Sequence, residues 1–153
     1  MSIKMLVMDV DGTLTDGRIY TGAGGELMKA FNVKDGYAIA HILPDKGIVP
    51  VIITGRRSDI VDFRCKELGI KYCYQGVKDK LDTLKSLWAE QGIDADETAY
   101  IGDDLNDLEC MESCGISACP SDGAEQVKKA ANYVCSAKGG EGAVREFIEY
   151  ILR

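Results

Sequence analysis

Ile3-Lys4-Met5-Leu6-Val7-Met8-Asp9-Val10-Asp11-Gly12-Thr13 is the stretch from which the rest of the chain can be read. Its apolar run, Ile3 to Met8, has the length of a buried strand and stops at two acids and a glycine. Two later runs end in the same way. Ile48 to Thr54 leads into Thr54-Gly55-Arg56, and Ala99 to Gly102 leads into Asp103-Asp104-Leu105-Asn106-Asp107. Short strands that are apolar throughout, not alternating, are buried on both faces, which is the signature of a parallel sheet.

The segments between these runs carry helical patterns. Ser58 to Leu68 is expected to be a helix closed by Gly69. Val77, Leu81, Leu84, Leu87 and Trp88 recur at helical spacing before Gly92. Further helices are expected from Asp35-Gly36 to about Pro44, over Leu105 to Cys114, from a Ser121 cap to Ala131, and over Gly142 to Leu152. Tyr72 to Tyr74, Ile116 to Ala118 and Tyr133 to Cys135 complete the strands. Alternating strands and helices predict an α/β fold, a Rossmann-like three-layer sandwich with a mainly parallel sheet. The expected organisation is one domain over residues 1–153. Its insertion is a small β-hairpin at about 18–33, around Thr21-Gly22-Ala23-Gly24-Gly25-Glu26, too small to be a cap domain.

At 153 residues the chain is long enough to bury a core without cross-links. Its net charge of −7 argues against a nucleic-acid partner. Its mean hydropathy of −0.09 and short apolar runs argue against a membrane span. The N-terminus has no signal-peptide layout, so a cytoplasmic protein is expected. Six cysteines occur without a Cys-x-x-Cys pair, and His41 is the single histidine. Reduced, mostly buried thiols are therefore expected rather than a zinc site, with a structural role for His41.

In a parallel sheet of this kind ligands bind beyond the carboxyl ends of the strands. Asp9, Asp11, Thr54, Arg56, Asp103 and Asp107 all fall at such ends, and Lys80 starts a helix near the same edge. Clustered carboxylates repel unless a cation lies between them or one holds a proton. An oxygen-only donor set without histidine selects a hard ion, and Mg²⁺ is the usual one. A Mg²⁺ with open positions attracts phosphate, whose remaining oxygens Thr54, Lys80 and backbone amides after Asp9 can hold. An EF-hand is excluded in both registers. Position six is Leu14 or Asp16 instead of glycine, and position twelve is Tyr20 or Gly22 instead of glutamate. Taken alone, Asp-x-Asp-Gly-Thr is often only a turn or cap; its occurrence with Thr54, Lys80 and Gly-Asp-Asp-x-x-Asp, in that order, makes it a site.

With these four motifs the chain resembles the haloacid dehalogenase superfamily of phosphohydrolases. More narrowly, it is similar to the 3-deoxy-D-manno-octulosonate 8-phosphate phosphatase family, from Ile3 to Leu152. The narrower marks include Asp16-Gly17, Gly25-Glu26 with Lys29 and Phe31, Asp35-Gly36, Ile53-Thr54-Gly55-Arg56, and Arg64 with Leu68-Gly69-Ile70. They continue with Tyr74-Gln75-Gly76 and Lys80, Tyr100 to Asp104, and Gly139-Gly140-Glu141-Gly142-Ala143-Val144-Arg145-Glu146. The resemblance implies that Asp9 is the nucleophile and forms an aspartyl-phosphate. Asp11 protonates the leaving sugar oxygen and then activates water. Mg²⁺ is held by Asp9, the backbone carbonyl of Asp11 and Asp103, with Asp107 supporting the site. Thr54 and Lys80 hold the phosphoryl group.

The resemblance also implies a capless homotetramer whose hairpins pack together and whose neighbours complete the pocket for a phosphorylated sugar acid. Gly55, Arg56, Arg64 and Asn106 are the expected substrate contacts besides Thr54 and Lys80. Arg56 lies at the rim to hold the sugar carboxylate, and Arg64 serves a neighbouring pocket. The glycine-rich tail from Gly139 to Arg145 is expected as a mobile lid. Two positions depart from the family pattern: Thr13 stands where Val is common, and Asn106 where an aliphatic residue is common. They leave open a nine-carbon ulosonate 9-phosphate as the alternative substrate. A receiver-like signalling domain shares the acidic cluster, but Asp11 argues against it, because a receiver's aspartyl-phosphate must persist.

Overall fold

The computed structural model describes residues 2–153. Six parallel strands form one sheet: β1 (Met5–Met8), β4 (Val49–Ile53), β5 (Tyr72–Tyr74), β6 (Thr98–Ile101), β7 (Ile116–Cys119) and β8 (Tyr133–Val134). Their order is β5-β4-β1-β6-β7-β8. β1 is therefore the switch point, with successive strands added first on its β4 side and then on its β6 side. β2 (Tyr20–Gly22) and β3 (Gly25–Met28) form a separate antiparallel hairpin.

The pleat of β1 sorts the core into two layers. Leu6 and Met8 face one layer, with Val61 and Cys65 of α3 (Asp59–Leu68) and Phe147 and Ile148 of α7 (Ala143–Ile151). Met5 and Val7 face the other, with Leu84 and Leu87 of α4 (Lys80–Gln91), Cys110 and Met111 of α5 (Leu108–Ser113), and Val127 of α6 (Glu125–Ala130). The expected three-layer fold is the one observed.

Local chemistry sets the element ends. Ser58 caps α3 by accepting from the Ile60 amide at 3.2 Å, and Asp79 caps α4 by accepting from the Asp82 amide at 3.0 Å. Pro50 is tolerated inside the sheet because the Val49 amide points at β1, donating to the Lys4 carbonyl. The ring nitrogen of Pro50 thus faces β5, whose pairing begins only at Val51.

Some boundaries differ from expectation. The helix expected at Asp35-Gly36 starts earlier, as α1 (Val33–Tyr37), because Asn32 accepts from the Lys34 amide at 2.8 Å. It widens into a π turn (Ala38–Ile42) before a short α2 (Leu43–Asp45). Ser121 does not cap α6. Its amide is drawn to the Ala137 carbonyl at 3.0 Å, and the helix starts at Glu125. The extended segments expected at Arg18 to Tyr20 and Leu27 to Val33 pair instead over Tyr20–Gly22 and Gly25–Met28, a tighter hairpin. All six cysteines are free. His41 is exposed, its ring 4.8 Å from that of Tyr37.

Candidate active site

β1, β4 and β6 end side by side and deliver their terminal residues to one cleft of about 180 Å³. It is lined by Asp9, Asp11, Thr54, Gly55, Arg56, Asp103, Asp104 and Asn106. Asp9 follows β1, and its amide donates to the Ile101 carbonyl of β6 at 3.1 Å, so the nucleophile candidate is fixed by the sheet itself. Thr54 follows β4 and is buried, its amide held by the Tyr74 carbonyl at 2.9 Å.

Two close approaches make the turns possible. Gly12 has φ +87°, and a Cβ there would lie 1.9 Å from Asp103 Oδ2. At Gly102 a Cβ would lie 2.3 Å from Asp107 Cγ. Glycine at these positions lets the acidic loops after β1 and β6 close on one another. The Thr13 hydroxyl donates to Asp103 Oδ1 at 3.4 Å, which gives that departure from the family pattern a contact in the site.

Lys80 is buried. Its Nζ donates to Asp9 Oδ1 at 3.1 Å and to Asp107 Oδ1 at 2.8 Å. Asp107 Oδ1 also accepts from the Tyr100 hydroxyl at 2.6 Å, and Oδ2 accepts from the Asp103 and Asp104 amides at 3.0 and 3.2 Å. Its oxygens are therefore committed to positioning Lys80 and the Asp103 loop. Burial opposes the charge on Lys80, but Asp9 and Asp107 outweigh it and raise its pKa. Burial, then the Asp107 charge, push Asp9 upward against the pull of Lys80. Burial and then Asp9 push Asp103 up to about 8.

Asp9, Asp103 and Asp107 each offer an oxygen within 4.8 Å of the others. With one lysine among them, three carboxylates lack positive charge, and burial and the neighbouring Asp9 hold the Asp103 carboxyl well above the usual carboxylate range. An oxygen-only set in that condition fits a hard dication.

Asp11 lies at the mouth, and its Oδ1 is held by Lys29 Nζ at 2.6 Å. Arg56 lines the cleft at its rim, and Asn106 Nδ2 lies 3.7 Å from the Cβ position of Gly55. Arg64 is not brought to this cleft. Its guanidinium turns inward over the Phe31 ring, 5.2 Å from the centroid, pairs with Glu67 at 3.5 Å, and lies with Nη2 2.5 Å from the Cβ position of Gly36. The tail is not poised over the cleft either. Gly140 donates to the Thr13 carbonyl at 3.2 Å and Gly139 to Asp122 Oδ1 at 3.0 Å, which docks it against the back of the first turn.

Two contributors had no role assigned from the sequence. The Tyr100 hydroxyl is aligned with Asp107 by the pleat of β6. Lys29 reaches Asp11 from the hairpin; it stands among the residues that carry the family resemblance, but nothing in the sequence paired it with Asp11.

A family model described as haloacid dehalogenase-like hydrolase matches residues 73–148. The 3-deoxy-D-manno-octulosonate 8-phosphate phosphatase of Escherichia coli is 44% identical over 151 residues, which cover 99% of this chain and 80% of that protein. The crystal structure of the phosphatase of that name from Moraxella catarrhalis, in complex with magnesium, phosphate and KDO, superposes with a TM-score of 0.94 at 45% identity. The match covers 98% of this chain and 86% of that one. The cobalt-bound form of the Haemophilus influenzae phosphatase superposes with a TM-score of 0.95 at 41% identity, covering 99% of this chain and 88% of that one. With likeness of this extent, the chain belongs to the 3-deoxy-D-manno-octulosonate 8-phosphate phosphatase family of haloacid dehalogenase-like hydrolases.

Proposed function

We propose that the chain is a Mg²⁺-dependent phosphomonoesterase that hydrolyses 3-deoxy-D-manno-octulosonate 8-phosphate to the free sugar acid and phosphate. The observation that carries this reading is the sharing of one cleft by Asp9 and Asp11, the first held by Lys80 and the second by Lys29. The carboxylate of Asp9 attacks phosphorus while the bond to the sugar oxygen breaks, and Asp11 gives that oxygen a proton. Asp11 then takes a proton from the water that attacks the aspartyl-phosphate, and Asp9 is released with free phosphate. Thr54 and Lys80 hold phosphoryl oxygens throughout. Asp9, Asp103 and the carbonyl of Asp11 would hold Mg²⁺, with Asp107 behind them. When bound, the ion supplies charge neutralisation on the phosphoryl oxygens. Alkyl phosphates hydrolyse so slowly unaided that positioning and charge must together lower the barrier by ~20 kcal/mol or more.

Arg56 is the sugar-carboxylate contact of this reading, with Gly55 and Asn106 beside it. Arg64 can serve only a neighbour's pocket, and only by swinging away from Phe31. A homotetramer of single-domain subunits belongs to the same proposal. It is supported by Ile19, Leu27 and Met28, which are exposed on a two-stranded hairpin with little core of its own. The cleft of one chain is also smaller than the ~300 Å³ at which ligand pockets usually begin. A cytoplasmic setting is supported by the six free thiols. No helix among the described residues is long and apolar enough to cross a membrane.

Phosphate release from the eight-carbon 8-phosphate, two nine-carbon 9-phosphates, phosphoserine and simple sugar phosphates tests the substrate. A strong preference for the eight-carbon acid is expected; preference for a nine-carbon ester transfers the reading to that sugar, and weak release from all defeats both. The metal is tested by thermal unfolding. Mg²⁺ is expected to raise the midpoint more at pH 8 than at pH 5, because at pH 5 Asp103 keeps the proton that the ion must displace. No shift at either pH overturns the metal site.

A further inference from the structure

We propose that Lys29 is a positioning residue for the acid/base Asp11, through which the hairpin sets the geometry of the proton transfer. The proposal rests on the phosphatase reading above. Lys29 leaves β3 at the hairpin exit. The strand before it, Gly25–Met28, is exposed along its length, yet the Lys29 side chain is only 3% exposed. A buried ammonium needs partners, and it has two: Asp11 Oδ1 at 2.6 Å and Glu26 Oε2 at 3.1 Å. The other oxygen of Glu26 accepts from the Ser58 hydroxyl, whose own amide donates to Gln75 Oε1 at 2.8 Å.

Ser58 caps α3 at the end of the loop Thr54-Gly55-Arg56-Arg57. The Lys29–Glu26 pair therefore spans the loop after β1, which carries the acid, and the loop after β4, which carries the phosphoryl contact. Asp11 has no other side-chain hydrogen bond among the described residues. Without Lys29, no side chain among the described residues holds its carboxyl at one place in the cleft mouth. A proton donor displaced by ~1 Å can cost on the order of a hundredfold in rate.

The test separates proton donation from general damage by the leaving group. An alkoxide leaving group needs the proton, whereas para-nitrophenolate leaves without it. In single-turnover experiments Lys29→Met is expected to slow release of the sugar from the octulosonate 8-phosphate ~10–100-fold, and release of para-nitrophenolate from its phosphate by less than ~3-fold. Lys29→Arg is expected to recover part of the loss. Adding Lys29→Met to Asp11→Asn, itself expected to slow turnover by orders of magnitude with little change in Mg²⁺ affinity, should cost less than ~3-fold more.

Equal slowing of both esters, no slowing, or an independent loss on top of Asp11→Asn overturns the proposal. Should Lys29→Met not fold, Glu26→Gln frees one anchor of Lys29 and is expected to reduce the same ratio ~3–10-fold; an unchanged ratio overturns it. Wild-type protein that ignores the octulosonate ester but cleaves ribose 5-phosphate defeats the substrate and not this role, which is then read with ribose 5-phosphate. Silence on every ester overturns both.

Discussion

Asp9→Asn is expected to abolish phosphate release, by on the order of 10⁴-fold or more, while the protein folds and unfolds much as the wild type does. An amide has nearly the shape of the carboxylate, and its Oδ1 can still accept from Lys80 Nζ, which lies at 3.1 Å. What it lacks is the charge and nucleophilicity needed to form an acyl-phosphate. The readout is single-turnover phosphate release together with acid-quenched protein mass. Wild-type protein should show a transient gain of one phosphoryl group, and Asp9→Asn none. If the variant keeps more than about one per cent of the wild-type rate, water attacks phosphorus directly, and Asp9 is only a ligand.

Lys80→Met is expected to remove activity and stability together. Lys80 lies between Asp9 and Asp107, and all three are buried. Deleting one partner of a buried ion pair leaves uncompensated charge, at a cost of about 3 kcal/mol or more. For a chain of this length that lowers the thermal midpoint by about 6–12 °C. The loss should depend on pH in a defined direction. Asp9 and Asp103 already have raised pKa values, Asp103 up to about 8. Removing Lys80 takes away the charge that holds Asp9 down, and so raises the folded-state value of Asp9 further above its unfolded one. A carboxyl of that kind binds more protons folded than unfolded, so its contribution to stability falls as pH rises through that interval. The deficit should grow as pH rises from 5 to 8, and Mg²⁺ should recover part of it. A deficit independent of pH and of Mg²⁺ would mean that Lys80 acts through packing alone.

The legible part of this molecule is the part written in local patterns. The apolar runs before Asp9, Thr54 and Asp103 read as doubly buried strands, and parallel strands in one sheet must end on the same edge. That alone brings the three residues together, and the six-stranded sheet has them there. Helix ends at Gly69 and Gly92 were equally readable, since each is a left-handed cap following an apolar periodicity. Ser121 differed for a non-local reason: its amide donates to the Ala137 carbonyl, and the helix starts only at Glu125.

The sequence by itself determined the sheet, the edge at which chemistry occurs and the acids that line it, because strand periodicity and turn chemistry act over a few residues. Only the tertiary structure decided that Asp107 spends its oxygens on Lys80, Tyr100 and two amides, that Lys29 crosses from the hairpin to Asp11, and that Arg64 turns in over Phe31. Most of these contacts join residues on different elements, and Lys80 meets Asp9 across 71 positions of chain. A buried charge takes whichever partner the packing of whole elements puts within reach, and no short-range pattern records which one that is.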